Sequence, residues 1–230
     1  MIEVILCDDH ALIRRGIRDT LSDASDIRVV GEAGDYGELR ALLRTLEARA
    51  AEARARDGTA DSRRPLCDVL VLDINLPGRS GLDVLHVLKD EGATIKVLVV
   101  SMYPEDQYAI RALRAGAYGY VNKGGDPQLI VQAVRTVAQG RKYVTPEIAQ
   151  MLVDSLTAPA VESLHSTLSD RELQTLTLIA SGKRLADIAE ALTLSPKTVS
   201  VYRARVLEKL QLSNNAELTV YAIRNGLVGQ

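Results

Sequence analysis

Neither tryptophan nor phenylalanine occurs in this chain, and tyrosine, with eight copies, is left as the only large aromatic. Its cores must therefore be built from Leu, Val, Ile and Ala. Cysteine is nearly absent too. Cys7 and Cys67 stand alone, without the CxxC or His spacing of a metal or redox site. Both fall in or beside apolar runs and read as buried thiols of a reducing compartment. No stretch approaches the roughly 20 apolar residues that a membrane span needs. No basic segment followed by a long apolar one opens the chain, so no signal peptide is expected. A cytoplasmic protein without a membrane partner is the expectation. Positive charge is not in excess either: the net charge is −2, so any affinity for a polyanion must come from a local cluster. A chain of 230 residues, 47% hydrophobic and 25% charged, falls in the globular range and has room for two domains.

What is present is a set of short apolar runs, each ending in a polar residue. Ile2-Glu3-Val4-Ile5-Leu6-Cys7 ends in Asp8-Asp9, and Val69-Leu70-Val71-Leu72 ends in Asp73. Val97-Leu98-Val99-Val100 ends in Ser101, and Tyr118-Gly119-Tyr120-Val121 ends in Asn122-Lys123. The spacing predicts five strands, near 2–7, 27–33, 67–73, 95–100 and 118–121. Helices are predicted between and after them, near 10–23, 36–56, 81–91, 105–115 and 126–139. Unbroken apolar runs suit a parallel sheet covered on both faces, and right-handed crossovers leave few orders for it. A flavodoxin-like α/β order, 2-1-3-4-5, places its switch point beside the first strand.

Asp8, Asp9, Asp73, Ser101 and Lys123 should then converge on the carboxyl edge of the sheet, where such folds bind ligands. Three crowded acids are costly without a cation, and a hard divalent ion such as Mg²⁺ suits oxygen donors. This is a phosphoryl-transfer site in outline. Plainer roles stay open for each residue. Asp8 or Asp9 would serve as a cap for the helix near Ala11, Ser101 as a cap for a later one, and Lys123 as a surface lysine. Asp73 precedes Asn75-Leu76-Pro77-Gly78, a tight loop that would expose it. The specific signal is the ordered set, each member after its own strand.

Three stretches break the alternation. Residues 46–65 are rich in Ala, Arg and Glu and then turn polar, reading as a solvated helix and a surface insertion, with a partner-docking arm as the alternative. Residues 140–166 read as a linker. In it, Gly140 ends the fifth helix, Thr145-Pro146 starts a short one, and Ala158-Pro159-Ala160 and Ser163-Leu164-His165-Ser166 are connecting segments. From residue 167 no strand pattern remains. Helices are predicted near 170–181, 185–192, 196–210 and 214–225, the first opened by a capping box of Ser169 and Glu172. The second and third, joined by a tight turn, read as helix-turn-helix. The third has net charge +3 over 196–209, from Lys197, Arg203, Arg205 and Lys209 against Glu208. Phosphate contact needs such concentration; a solvated amphipathic helix is the plain reading.

Residues 2–139 resemble the receiver domain of two-component response regulators. The resemblance lies in Cys7-Asp8-Asp9-His10, Leu72-Asp73-Ile74-Asn75-Leu76-Pro77-Gly78, Val100-Ser101 and Ala117-Tyr118-Gly119-Tyr120-Val121-Asn122-Lys123. It implies that Asp73 accepts a phosphoryl group from the phosphohistidine of a sensor kinase. Asp9, Asp73 and the carbonyl of Asn75 would hold Mg²⁺, with Asp8 reaching it through water. Lys123 would pair with phosphoryl oxygens, Ser101 would donate to one, and Tyr120 would swing into the space the hydroxyl leaves, a two-state element. Plain packing is the other reading of Tyr120. One departure is Gly124-Gly125, where many receivers have Pro after the lysine; it bears on the shape of the face between the fourth and fifth helices.

Residues 168–225 resemble the C-terminal domain of NarL/FixJ (LuxR-type) regulators. The resemblance lies in Leu168-Ser169-Asp170-Arg171-Glu172, Ala180-Ser181-Gly182-Lys183, Ile188-Ala189-Glu190-Ala191-Leu192-Thr193-Leu194-Ser195, Thr198-Val199-Ser200-Val201-Tyr202 and Lys209-Leu210. It implies an all-α four-helix domain whose third helix enters the major groove and whose fourth forms a dimer contact. Ser200 and Tyr202 depart from the Lys and His common there. Lys197, Thr198 and Tyr202 are expected at phosphates, Ser200, Val201, Arg203 and Arg205 near base edges, and Lys209 on the same charged helix.

The expected organisation is a receiver over 1–139, a linker over 140–166 and a DNA-binding domain over 167–230. The expected function is a transcriptional regulator switched by Mg²⁺-dependent phosphorylation of Asp73 by a histidine kinase, binding double-stranded DNA as a homodimer when phosphorylated. It would not be a turnover enzyme, apart from losing its own phosphoryl group. A receiver whose output is protein binding, with a degenerate DNA domain, is the alternative. A hydrolase with an aspartyl nucleophile is a third, opposed by Asn75 standing where a second acid would be needed.

Overall fold

The structure, a computed structural model, describes residues 1–57, 67–103, 105–157 and 164–228. Residues 58–65 of the insertion, and Ala158-Pro159-Ala160 and Ser163 of the linker, lie outside them. The chain divides into two compact units, Met1–Val153 and Asp154–Gln230.

The first unit alternates strands and helices. In chain order these are β1 (Ile2–Cys7), α1 (Ala11–Ser22), β2 (Ile27–Ala33), α2 (Tyr36–Asp57), β3 (Val69–Asp73), α3 (Gly81–Asp90), β4 (Lys96–Ser101), α4 (Glu105–Ala115), β5 (Gly119–Asn122) and α5 (Pro127–Ala138). The sheet order is β2-β1-β3-β4-β5, all pairs parallel. Every residue of β3 is buried, as a central strand covered on both faces requires. Between the sheet and its helices the core is aliphatic: Val4, Leu6, Val69, Val71, Leu98 and Val100 meet Ile17 and Leu21 of α1 and Ile130, Val134 and Val137 of α5. Cys7 and Cys67 are buried free thiols, and burial pushes each up to about 12.

Register sets the functional edge. Cys7 pairs with Leu72, so Asp8 and Asp73 emerge side by side, one step further on. Asp73 lies opposite Val100, and Ser101 opposite Asn122, which brings Lys123 to the same edge.

Helix α6 (Pro146–Thr157) spans the division between the units, inside the stretch the sequence assigns to a linker. The second unit holds α7 (Asp170–Ala180), α8 (Leu185–Ala191), α9 (Pro196–Leu210) and α10 (Asn215–Arg224). Its start corrects one expectation. Leu164–Thr167 is a 3₁₀ turn rather than open connection. The backbone N–H of His165 donates to the Tyr221 hydroxyl at 3.2 Å, and the two rings pack edge to face. That partner lies 56 residues away, so local composition gives no sign of it. No described helix is long and apolar enough to cross a membrane.

Candidate functional site

The acid edge of the first unit is compact. Lys123 Nζ lies 2.7 Å from Asp8 Oδ2 and 2.7 Å from Asp73 Oδ2, with all three side chains 3% exposed. Burial raises the Asp73 carboxyl above the ordinary aspartate range; the Lys123 ammonium and the Asn75 N–H pull it down, and Asp8 pushes it up. Asp9 is less buried, and its Oδ1 lies 2.6 Å from His10 Nδ1. One ligand atom from each of Asp8, Asp9, His10 and Asp73 falls within 4.8 Å of the others. Asp8 Oδ2 and Asp9 Oδ1 are buried atoms that no donor meets at a hydrogen-bond angle, although Lys123 and His10 stand close to them. One ammonium against three carboxylates leaves excess negative charge among oxygen donors. That donor set fits a hard divalent cation.

The capping alternative does not hold for Asp8 or Asp9. Helix α1 has His10 at its N-cap position with no side-chain cap bond. Asp8 Oδ1 instead accepts the His10 N–H at 2.9 Å and shapes the turn. The Ser101 hydroxyl accepts the Tyr103 N–H at 3.2 Å, two residues on. Lys123 is no surface lysine.

Tyr120 is fully buried, and its hydroxyl donates to the Tyr103 carbonyl at 2.7 Å. The ring is thus already inward, where the resemblance has it arrive by a swing. Burial pushes its hydroxyl above the ordinary tyrosine range, against a hydrogen bond with Ser101 that lowers it. Asn122 braces the same place. Its Nδ2 donates to the Tyr103 carbonyl at 3.0 Å, and its Oδ1 accepts the Gly124 N–H at 2.7 Å. The glycine pair after Lys123 is therefore tied back to β5. His10, Tyr103 and Asn122 escape the sequence expectation; only the run Asp8-Asp9-His10 carries a signal, for the first.

In the second unit, Ser195 caps α9 by accepting the Thr198 N–H, and Pro196 occupies its first turn. Lys197, Thr198, Val201, Tyr202 and Arg205 line one shallow cleft of about 340 Å³ along this helix. Ser200 is exposed beside them, its hydroxyl donating to the Pro196 carbonyl at 3.0 Å. Arg203 is drawn to α10 instead, its Nε donating to Asn215 Oδ1 at 2.6 Å.

Lys209, on the same charged helix, has partners within its own unit. Its Nζ lies 2.6 Å from the buried Glu172 carboxylate and donates to the Thr167 carbonyl at 3.2 Å, while the side chain stays 39% exposed. Burial raises the Glu172 carboxyl, but Lys209 and the Ser169 N–H outweigh it, and the group ends below the ordinary glutamate range. A depressed carboxyl contributes stability above its unfolded pKa and loses it as pH falls through the folded one. Lys209→Met is expected to lower stability at neutral pH by about 1–2 kcal/mol, less than for a fully buried pair because the lysine is partly exposed. Urea titrations from pH 7 down to pH 3 should show the difference from wild type shrinking. A difference constant with pH would mean that the pair contributes only packing.

Comparison with known proteins follows the same division. Residues 4–135 match the family described as response regulator receiver domain, and residues 166–222 match the bacterial regulatory proteins of the luxR family. Response regulator UvrY of Escherichia coli is 38% identical over 228 residues, covering 99% of this chain and 96% of its own. Response regulator GacA of Pseudomonas aeruginosa is 36% identical over 229 residues, covering 99% and 98%. Among solved structures, RcsB from Salmonella enterica serovar Typhimurium, bound to promoter rprA in the presence of phosphomimetic BeF3-, is 25% identical. It has a TM-score of 0.56 and covers 96% of this chain and 97% of its own.

Proposed function

This chain belongs to the two-component response regulators of the NarL/FixJ family, transcriptional regulators that join a receiver domain to a LuxR-type DNA-binding domain, and from that we propose how its own residues run the switch. The receiver is assigned to residues 1–139 and the DNA-binding domain to 167–230, with the stretch between them as connection. Asp73 is the phosphoryl acceptor. A carboxylate oxygen of Asp73 attacks the phosphorus held on a sensor kinase's histidine, the new O–P bond forms as the P–N bond breaks, and the departing imidazole keeps the electron pair. Lys123, placed at 2.7 Å from Asp73, moves its ammonium onto the incoming phosphoryl oxygens. Ser101 donates its hydroxyl to another. Asp8, Asp9, Asp73 and the Asn75 carbonyl are the groups that would hold Mg²⁺, which when bound supplies neutralising charge for the transferred group. The observation that carries this reading is the buried Lys123 bridging Asp8 and Asp73 at the ends of neighbouring strands.

Turning the Ser101 side chain toward the phosphoryl group draws its oxygen away from the Tyr103 N–H that it accepts. The Tyr103 carbonyl also holds Tyr120 and Asn122, so the loop before α4 feels the modification directly. The phosphorylated protein pairs on two half-sites of double-stranded DNA, and the product is a stoichiometric phosphoprotein rather than a turnover catalyst. Fluorescence anisotropy on a promoter fragment, with and without a small phosphoryl donor and Mg²⁺, tests this. Higher affinity after treatment is expected; equal affinity of fully phosphorylated and untreated protein would refute the switch.

The DNA contacts proposed are Lys197, Thr198, Ser200, Val201, Tyr202 and Arg205, with Arg203 as a brace to α10. Lys197→Ala should weaken binding to all sequences alike and reduce the log–log salt slope by about 1. Lys209→Met, compared under conditions where it is folded, should leave that slope unchanged. The reverse pattern would restore Lys209 to the DNA surface and remove Lys197.

A further inference from the structure

We propose that Thr145 tethers the start of α6 to the start of α4, and that phosphorylation of Asp73 breaks the tether. The trigger rests on the receiver reading above; the tether itself is a contact which that reading does not use.

The stretch after α5 is not open connection. β5 closes one side of the sheet order, and an uncovered edge strand leaves N–H and carbonyl groups unpaired. Residues 142–145 cover its start. The Tyr143 N–H donates to the Tyr118 carbonyl at 2.8 Å, and Tyr143 forms a parallel bridge with Gly119. A Cβ at Gly119 would fall 2.9 Å from both the Cβ and the carbonyl oxygen of Tyr143, so only glycine lets the two backbones come together. The Lys142 ammonium donates to the Ala117 carbonyl and lies 4.5 Å from the centre of the Tyr118 ring. The chain then reaches α4. The Thr145 hydroxyl donates to Glu105 Oε2 at 2.8 Å, from 40 residues further along the chain. The same hydroxyl accepts the Ile148 N–H at 3.3 Å and caps α6, and the Thr145 carbonyl accepts the Ala149 N–H at 2.9 Å. One side chain thus serves two helices.

Glu105 is the first residue of α4, two residues beyond Tyr103. Tyr103 is where the phosphorylation site is felt. Its N–H is held by the Ser101 oxygen at 3.2 Å, and its carbonyl accepts both the Tyr120 hydroxyl and the Asn122 amide. A phosphoryl group that turns Ser101 releases the first of these bonds, and the loop that carries Glu105 shifts. Thr145 does not follow, because Tyr143, two residues earlier, is paired to β5. A hydrogen bond of 2.8 Å is lost with a displacement of about 1 Å. The contact is therefore set to open rather than to tighten. Helix α6 crosses the division between the two units, so releasing its start loosens the connection.

The test is hydrogen–deuterium exchange on the full chain, read on peptides spanning residues 141–153, with intact mass reporting the phosphoryl group. The proteins are wild type, Glu105→Ala, which leaves the Thr145 cap in place, and Glu105→Gln, which keeps an acceptor for the hydroxyl. Without a phosphoryl donor, Glu105→Ala should exchange about three- to tenfold faster than wild type over this stretch, and Glu105→Gln should follow wild type. Phosphorylated wild type should exchange as fast as Glu105→Ala, and phosphorylation should add nothing further in that variant. Equal exchange in untreated wild type and Glu105→Ala would remove the tether. Equal exchange in phosphorylated and untreated wild type, with the phosphoryl mass present, would remove the trigger and leave the receiver reading standing. A wild type that gains no phosphoryl mass would overturn the receiver reading, and phosphate control of the tether with it.

Discussion

Asp73→Asn is expected to fold as the wild type does and to take up no phosphoryl group. Intact-mass spectrometry after incubation with a small phosphoryl donor and Mg²⁺ should show a gain of one phosphoryl mass in wild type only. The substitution keeps the shape of a side chain that is 3% exposed, but removes the oxygen nucleophile and one buried negative charge. Lys123 keeps Asp8 as its partner at 2.7 Å, so no cation is left stranded. Because burial holds the Asp73 carboxyl above its ordinary range, its ionisation opposes folding at neutral pH; the amide should be no less stable there. The phosphate-dependent gain in DNA affinity should vanish with the mass shift. A mass gain that survives in Asp73→Asn would move the acceptor to another residue and break the proposed line from Asp73 through Ser101 to the loop before α4.

Lys123→Met should have the opposite balance. Here the fold suffers before the chemistry can be judged. Asp8 and Asp73 stay buried, each having lost the ammonium 2.7 Å away. Removing one partner of a buried ionic group typically costs about 3–5 kcal/mol, because the remaining charge is stranded. The penalty should be greatest at neutral pH and shrink on acidification. The sign follows from Asp73: its folded pKa is already raised, so the native state binds a proton more tightly than the unfolded one and gains stability as pH falls through the folded value. Divalent cation should recover part of the loss, about 2.7 kcal/mol at a free concentration 100 times the dissociation constant. Guanidinium unfolding with chelator and with saturating Mg²⁺ reads both effects. Wild-type stability in chelator would mean that the two carboxylates are not crowded charges, and the electrostatic account of the site would be wrong.

Both predictions concern groups whose positions along the chain could be read directly. Five apolar runs, each ending in a polar residue, place the strands and their edge residues, since a buried parallel strand needs unbroken apolar sequence and its edge is where polar groups are allowed. The run from Ser195 to Leu210 likewise marks its own helix, because caps and charge pattern are local signals. Other features have no local signature. Tyr120 reads as a mobile switch, with packing as the alternative, and nothing local to it places its hydroxyl on the Tyr103 carbonyl. Nothing near Lys209 in the sequence shows that it pairs with Glu172, 37 residues earlier. His10 reads as one letter of a motif until its ring is found among three carboxylates.

The sequence by itself determined which segments are strand or helix, that the chain holds an α/β half and an all-α half, and which residues stand at strand ends. Those follow from periodicity, capping and apolar runs, all settled within a few residues. Only the tertiary structure decided who stands next to whom. The register of β1 on β3 makes Asp8 and Asp73 neighbours. The start of α3 lies so close to the end of β3 that a Cβ on Gly81 would fall 2.0 Å from the Asp73 carbonyl oxygen, which is why glycine stands there. Such contacts join residues far apart along the chain, and their geometry depends on close packing of the whole unit, which no local pattern encodes.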